Sequence, residues 1–113
     1  MEYPKMFEYI ETLWSIFHII KEKAKQQHDN KLELIALVIY NYVSYMAKTH
    51  NLKFGDMKKS SVINLVPFFE YLTHNNIQLY DLNNITPDAV NANSKEDIEK
   101  YTLTQIYYIS QKM

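Results

Sequence analysis

The chain has 113 residues, no cysteine, one glycine and a formal charge of −1 from 12 basic and 13 acidic side chains. Disulfides and thiolate metal sites are thereby excluded, and the charge balance lacks the basic excess that marks a nucleic-acid binder. This length fits one domain, read here as a single all-helical domain over residues 1–113. All 12 basic residues are lysine. Arginine, the side chain best shaped for bidentate reading of phosphate or guanine, is absent. With abundant Lys, Asn, Ile and Tyr, the composition fits an AT-rich genome, such as that of a phage or other mobile element. No apolar run reaches the ~20 residues of a membrane span. No signal peptide is read at the N-terminus, so the protein is expected in the cytoplasm, with no membrane partner.

The first helix is predicted over residues 4–27, with Pro4 in its first turn. Met6, Ile10, Leu13, Phe17, Ile20 and Ala24 recur at spacings of four and three, the stripe of a core-facing helix. Glu8 and Glu11 lie near its start and Lys21, Lys23 and Lys25 near its end, which complements the helix dipole. A second aromatic stripe runs along its flank: Tyr3, Phe7, Trp14 and His18. Large aromatics are normally buried in packing, so a third helix is expected to cover this flank. The functional alternative is a partner-binding face. A short polar turn at 26–30 makes the first two helices antiparallel neighbours.

The second helix, over residues 30–48, is the least ambiguous element. Leu32, Ile35, Val38, Ile39, Tyr42, Tyr45 and Met46 fall on one side of a helical wheel. Asn30 and Glu33 suggest a capping box. Leu34 and Val43 widen the apolar arc, while Leu37 and Tyr40 lie near the polar side. Those two are expected to be covered by another segment or to form a contact surface. Residues 52–61 read as an irregular connection with a turn at Phe54-Gly55-Asp56. A third helix is predicted over 65–75. Asn64 as its cap places Pro67 in the first turn, where a missing N–H costs nothing. Leu65, Phe68, Phe69 and Leu72 share its inner face.

Residues 75–93 read as irregular, with Ile77, Leu79, Leu82 and Ile85 over the core and a helical turn at 87–90. Ser94 and Asp97 open the last helix in a capping-box-like pattern. Its inner side is read as Ile98, Tyr101, Tyr108 and Ile109, with Leu103 and Tyr107 facing outward. A single glycine suits helices, whose ends can use asparagine in left-handed positions; there are ten asparagines.

Chemistry-bearing motifs are absent. The four histidines are not paired at ligand spacing. His28, His50 and His74 instead fall at helix C-termini. No nucleophile elbow, glycine-rich phosphate loop or dinucleotide fingerprint occurs. The carboxylate pairs Glu8/Glu11 and Glu96/Glu99 sit in first turns, where the dipole favours them. No catalytic residue, metal ligand or cofactor site is assigned. The connection at 52–61 is too long for a helix-turn-helix.

The expected fold is therefore all-α, a compact bundle of four to five helices around a central antiparallel hairpin. The expected function is a non-catalytic protein–protein interaction module: a small regulator, inhibitor or assembly subunit whose partner is another protein or a second copy. The candidate contact residues are Phe7, Trp14, His18, Leu37, Tyr40, Leu103 and Tyr107. A DNA-binding accessory role through Lys21, Lys25, Lys31, Lys58 and Lys59 is the alternative, and a small enzyme with a dispersed site the third reading.

Overall fold

A computed structural model describes residues 5–84, 90–91 and 93–112. The protein is all-α. Among the described residues there are four α-helices: α1 (Met6–Gln27), α2 (Asn30–Thr49), α3 (Val66–His74) and α4 (Lys95–Gln111). One 3-10 turn, Phe54–Asp56, interrupts the connection between α2 and α3, and no strand is present among these residues. Tyr3, Pro4, Ile85 and most of the turn expected at 87–90 lie outside the described residues. The chain divides into two compact units, Met1–His74 and Asn75–Met113.

In the first unit, α1 and α2 form the expected antiparallel hairpin. Its turn is two residues long. His28 adopts a left-handed backbone (φ 51°) and its N–H bonds back to the Ala24 carbonyl. Asp29 caps α2, accepting from the N–H groups of Lys31 (2.9 Å) and Leu32 (3.2 Å). The cap is thus Asp29 rather than Asn30, and Glu33 falls one position too far along to close a capping box. A carboxylate serves the positive end of a helix better than an amide does. The other left-handed non-glycine residues described are Asn51 and Asn76, both just past helix ends. Asparagine does fill those positions.

α1 packs on both α2 and α3. Tyr9, Ile10, Leu13, Ile16 and Ile20 are completely buried along it, each such side chain contributing roughly 1.5–3 kcal/mol. α2 turns Ala36, Ile39, Val43, Met46 and Ala47 inward. The buried arc of α2 is therefore narrower than its apolar arc. Val38 and Tyr45, read as inward, are exposed.

Tyr9 ties the three helices together. Its ring stacks on Tyr71 of α3, centroids 3.9 Å apart and nearly parallel. Its hydroxyl lies 2.8 Å from that of Tyr42 on α2. α3 begins as the proline required: Asn64 Oδ1 accepts from Val66 N–H at 3.1 Å, and Pro67 is the second helical residue. Phe68, Tyr71 and Leu72 are its buried face, while Phe69 is exposed.

Two polar residues of α1 fasten the α2–α3 connection. Ser15 Oγ donates to the Lys58 carbonyl (3.2 Å) and accepts from Ser60 N–H (3.0 Å). Glu11, one turn earlier, accepts from Lys58 N–H at 3.0 Å. Ser15 is therefore buried, not a surface serine.

In the second unit, Ser94 caps α4 by accepting from Asp97 N–H at 3.3 Å, and Asp97 in turn accepts from Asn91 N–H at 3.3 Å. The inner face of α4 differs from the predicted one. Thr102, Leu103, Thr104, Ile106 and Ser110 are buried, whereas Ile98 is exposed. Threonine and serine tolerate burial here because their hydroxyls bond within the helix, Thr104 to the Lys100 carbonyl and Ser110 to that of Ile106, both at 2.7 Å. Thr104 Oγ1 also accepts from Tyr80 N–H at 3.1 Å, and Lys100 Nζ lies 4.3 Å from the Tyr80 ring centre. These contacts bind the irregular segment before α4 to the helix.

Because Tyr9 contributes ring packing and one hydroxyl contact, its two parts separate by mutation. Tyr9→Phe should cost about 1 kcal/mol, the net worth of one hydrogen bond. Tyr9→Ala should cost about 3–5 kcal/mol, as large aromatic truncations do. Urea unfolding of the three proteins measures the order.

Candidate functional site

A groove of about 760 Å³ opens between α1 and α2. Its α1 wall carries Trp14, Phe17, His18 and Lys21, and its α2 wall carries Leu34, Leu37 and Tyr40, with Asn30 and Glu33 toward the hairpin turn. Helical periodicity puts each set on one side of its helix. Ala36 also lines the groove; a methyl group where most core positions hold a branched chain leaves space there.

An aromatic cluster holds the wall rigid. Trp14 stacks face to face on Phe54 of the 3-10 turn, centroids 4.2 Å apart and 2° from parallel. The His18 ring stands perpendicular to the Trp14 ring at 4.4 Å. Phe17 packs against Tyr40 at 5.2 Å, and Lys21 Nζ sits 5.7 Å from the Phe17 ring centre. The aromatic flank of α1 is thus covered in part, by Phe54 of the connecting segment rather than by a third helix. Trp14 retains 8% exposure.

Two nitrogens in this cluster are unusual. Trp14 Nε1 and His18 Nε2 are both screened from solvent and have no hydrogen-bond partner among the described residues. A buried donor without a partner costs about 1–3 kcal/mol. Burial, then the charges of Lys59 and Lys21, hold His18 below the ordinary histidine value of 6.5. The imidazole is accordingly neutral at neutral pH.

Four of the seven contact candidates, Trp14, His18, Leu37 and Tyr40, meet in this groove. Phe7 is exposed elsewhere on α1. Leu103, expected to face outward, is completely buried on α4, and Tyr107 is partly buried. Of the lysines proposed for nucleic acid, Lys21 lines the groove, while Lys25, Lys31, Lys58 and Lys59 are exposed elsewhere.

The sequence reading missed Leu34 and Phe54 as site residues. Leu34 stands three residues before Leu37, and the spacing alone places both on one face. Phe54 carried no periodic signal, because it sits in a three-residue turn. Beside the groove, α2 presents a further apolar surface: Leu34 (65% exposed), Leu37 (54%), Val38 (41%) and Tyr45 (62%).

No protein-family model, curated protein or solved structure matches the chain.

The lowered value of His18 has a stability consequence. The unfolded chain takes up a proton at the ordinary value, and the folded chain only at a lower pH. Stability present above pH 6.5 is therefore lost as pH falls toward the folded value. Lys59 and Lys21 are the charges that bear on the ring. Comparing urea midpoints at about pH 7.5 and about pH 5.5, His18→Gln should lose less stability on acidification than the wild type. Equal losses in the two proteins would show that His18 does not titrate this way.

Proposed function

We propose that the protein is a non-catalytic interaction module of the cell interior, a small regulator or assembly subunit, and that α2 is its contact helix. The observation that supports this most is the exposed face of α2. From Leu34 to Ala47 the helix carries no charged residue, and Leu34, Leu37, Val38 and Tyr45 stand out to solvent along it. Solvated helix faces are ordinarily charged. A run of exposed apolar side chains at intervals of three and four is how one helix presents itself to another.

The absence of charge also bears on the partner. A surface that pairs with its own copy about a two-fold axis must be self-complementary. Charges of one sign on this face would repel their symmetry mates; a neutral face does not. Asn41, exposed among the apolar residues, supplies a donor and an acceptor without that penalty. A second copy is thus the economical partner, and a different protein with an amphipathic helix is the other. The self-association surface in this reading is α2 rather than α4, because Leu103 is buried whereas Leu34 and Leu37 are not.

Sedimentation velocity at micromolar concentration should give a dimer for the wild type. A Leu34→Lys/Leu37→Lys double variant should be monomeric with unchanged helical circular dichroism, since both side chains are exposed. Should the wild type sediment as a monomer and retain no protein from its own host that the double variant fails to retain, α2 is not a contact helix.

A further inference from the structure

The exposed seam of α2 reads the same in both directions. Leu34, Val38, Asn41 and Tyr45 are all exposed, and they follow one another at spacings of four, three and four. That alternation keeps a line of side chains facing one partner helix along its length. Reversing the helix leaves the spacing unchanged, with Leu34 exchanged for Tyr45 and Val38 for Asn41. The charges at the two ends are unlike. Asp29, Lys31 and Glu33 give the N-terminal end two acids against one lysine, and no further charge occurs until Lys48 at the C-terminal end.

We infer that two copies of the chain join with their α2 helices antiparallel, about a two-fold axis crossing between Val38 and Asn41. This rests on the self-association reading above and adds the direction and register of the second copy. Leu34 of one protomer packs on Tyr45 of its partner, and Val38 on Asn41. The two Asn41 side chains lie about 4.5 Å apart along the helices, where one carboxamide donates to the other. The net-negative end of each helix meets Lys48 of its partner, and the positive end of each helix dipole lies beside the negative end of the other. A perpendicular two-fold brings the same flank of both helices together. On the helical wheel Glu33 stands about 60° from Lys48, whereas Lys31 stands about 100° from it, toward the other flank. A parallel pair instead sets the two acidic ends together and Lys48 against Lys48, and like charges in apposition cost affinity.

The chain has no cysteine, so an introduced thiol reports a single position. Leu34→Cys and Tyr45→Cys are made singly in the full chain, both at exposed positions. Under mild oxidation the antiparallel pair should give a disulfide only when the two variants are mixed. Within either variant alone, equivalent positions lie about 16 Å apart along the helices, beyond the ~7 Å that a disulfide bridges. Charge gives a second readout. Glu33→Lys and Lys48→Glu should each weaken the dimer roughly fivefold, the scale of two exposed ion pairs, and the double variant should recover it, as measured by sedimentation equilibrium. Cross-linking of each cysteine variant to itself without a mixed product overturns the antiparallel arrangement and leaves self-association standing. So does a dimer that yields no cross-link in either case. A wild type that stays monomeric removes the self-association reading itself, and this inference with it.

Discussion

The first unit depends on α1 being buried on more than one side. Tyr9 shows how this is achieved. A single residue gives its ring to α3 and its hydroxyl to α2, and it is completely enclosed. A leucine could fill comparable space but could not satisfy Tyr42, and a smaller residue would leave a void whose cost rises with its volume. Once α1 serves both neighbours, the two-residue turn at His28 and Asp29 fixes the direction of α2, and the pair Glu11 and Ser15 fixes the path of the chain from α2 to α3. Ser15 and Glu11 matter beyond their own bonds: they hold the segment that ends in Ser60, and its 3-10 turn delivers Phe54 to Trp14.

How far the sequence was legible follows from which forces have a period. Helix existence, the hairpin, the proline-set start of α3 and the Ser94 cap all come from local rules, and the structure agrees with them to within a residue or two. The orientation of each helix about its axis is less legible. On α2 the apolar arc exceeds what one neighbour covers, so the wheel does not say which part stays outside, and it turns Val38 and Tyr45 inward although both are exposed. On α4 the buried face includes Thr102, Thr104 and Ser110, and the hydroxyls of Thr104 and Ser110 bond to carbonyls within the helix. A count of apolar residues treats them as surface and rotates the helix accordingly, which turns the buried Leu103 outward.

The groove was half legible for the same reason. Trp14, His18, Leu37 and Tyr40 drew attention individually as apolar or aromatic residues without an assigned place in the core. That they converge depends on how α1 and α2 face each other, with the small side chain of Ala36 leaving room between them. Phe54 lies outside any helix, and its contact with Trp14 spans 40 residues of chain. No local pattern contains that information.

The same packing explains why the groove keeps its unsatisfied nitrogens. Trp14 and His18 are held by ring contacts on faces and edges: Phe54 stacks on Trp14, and Trp14 meets His18 at a right angle. Such contacts orient an indole and an imidazole firmly but use the rings rather than their hydrogen-bonding atoms. Rotating either ring to find a partner would break the stack. The arrangement is therefore a balance in which aromatic packing outweighs two missing hydrogen bonds.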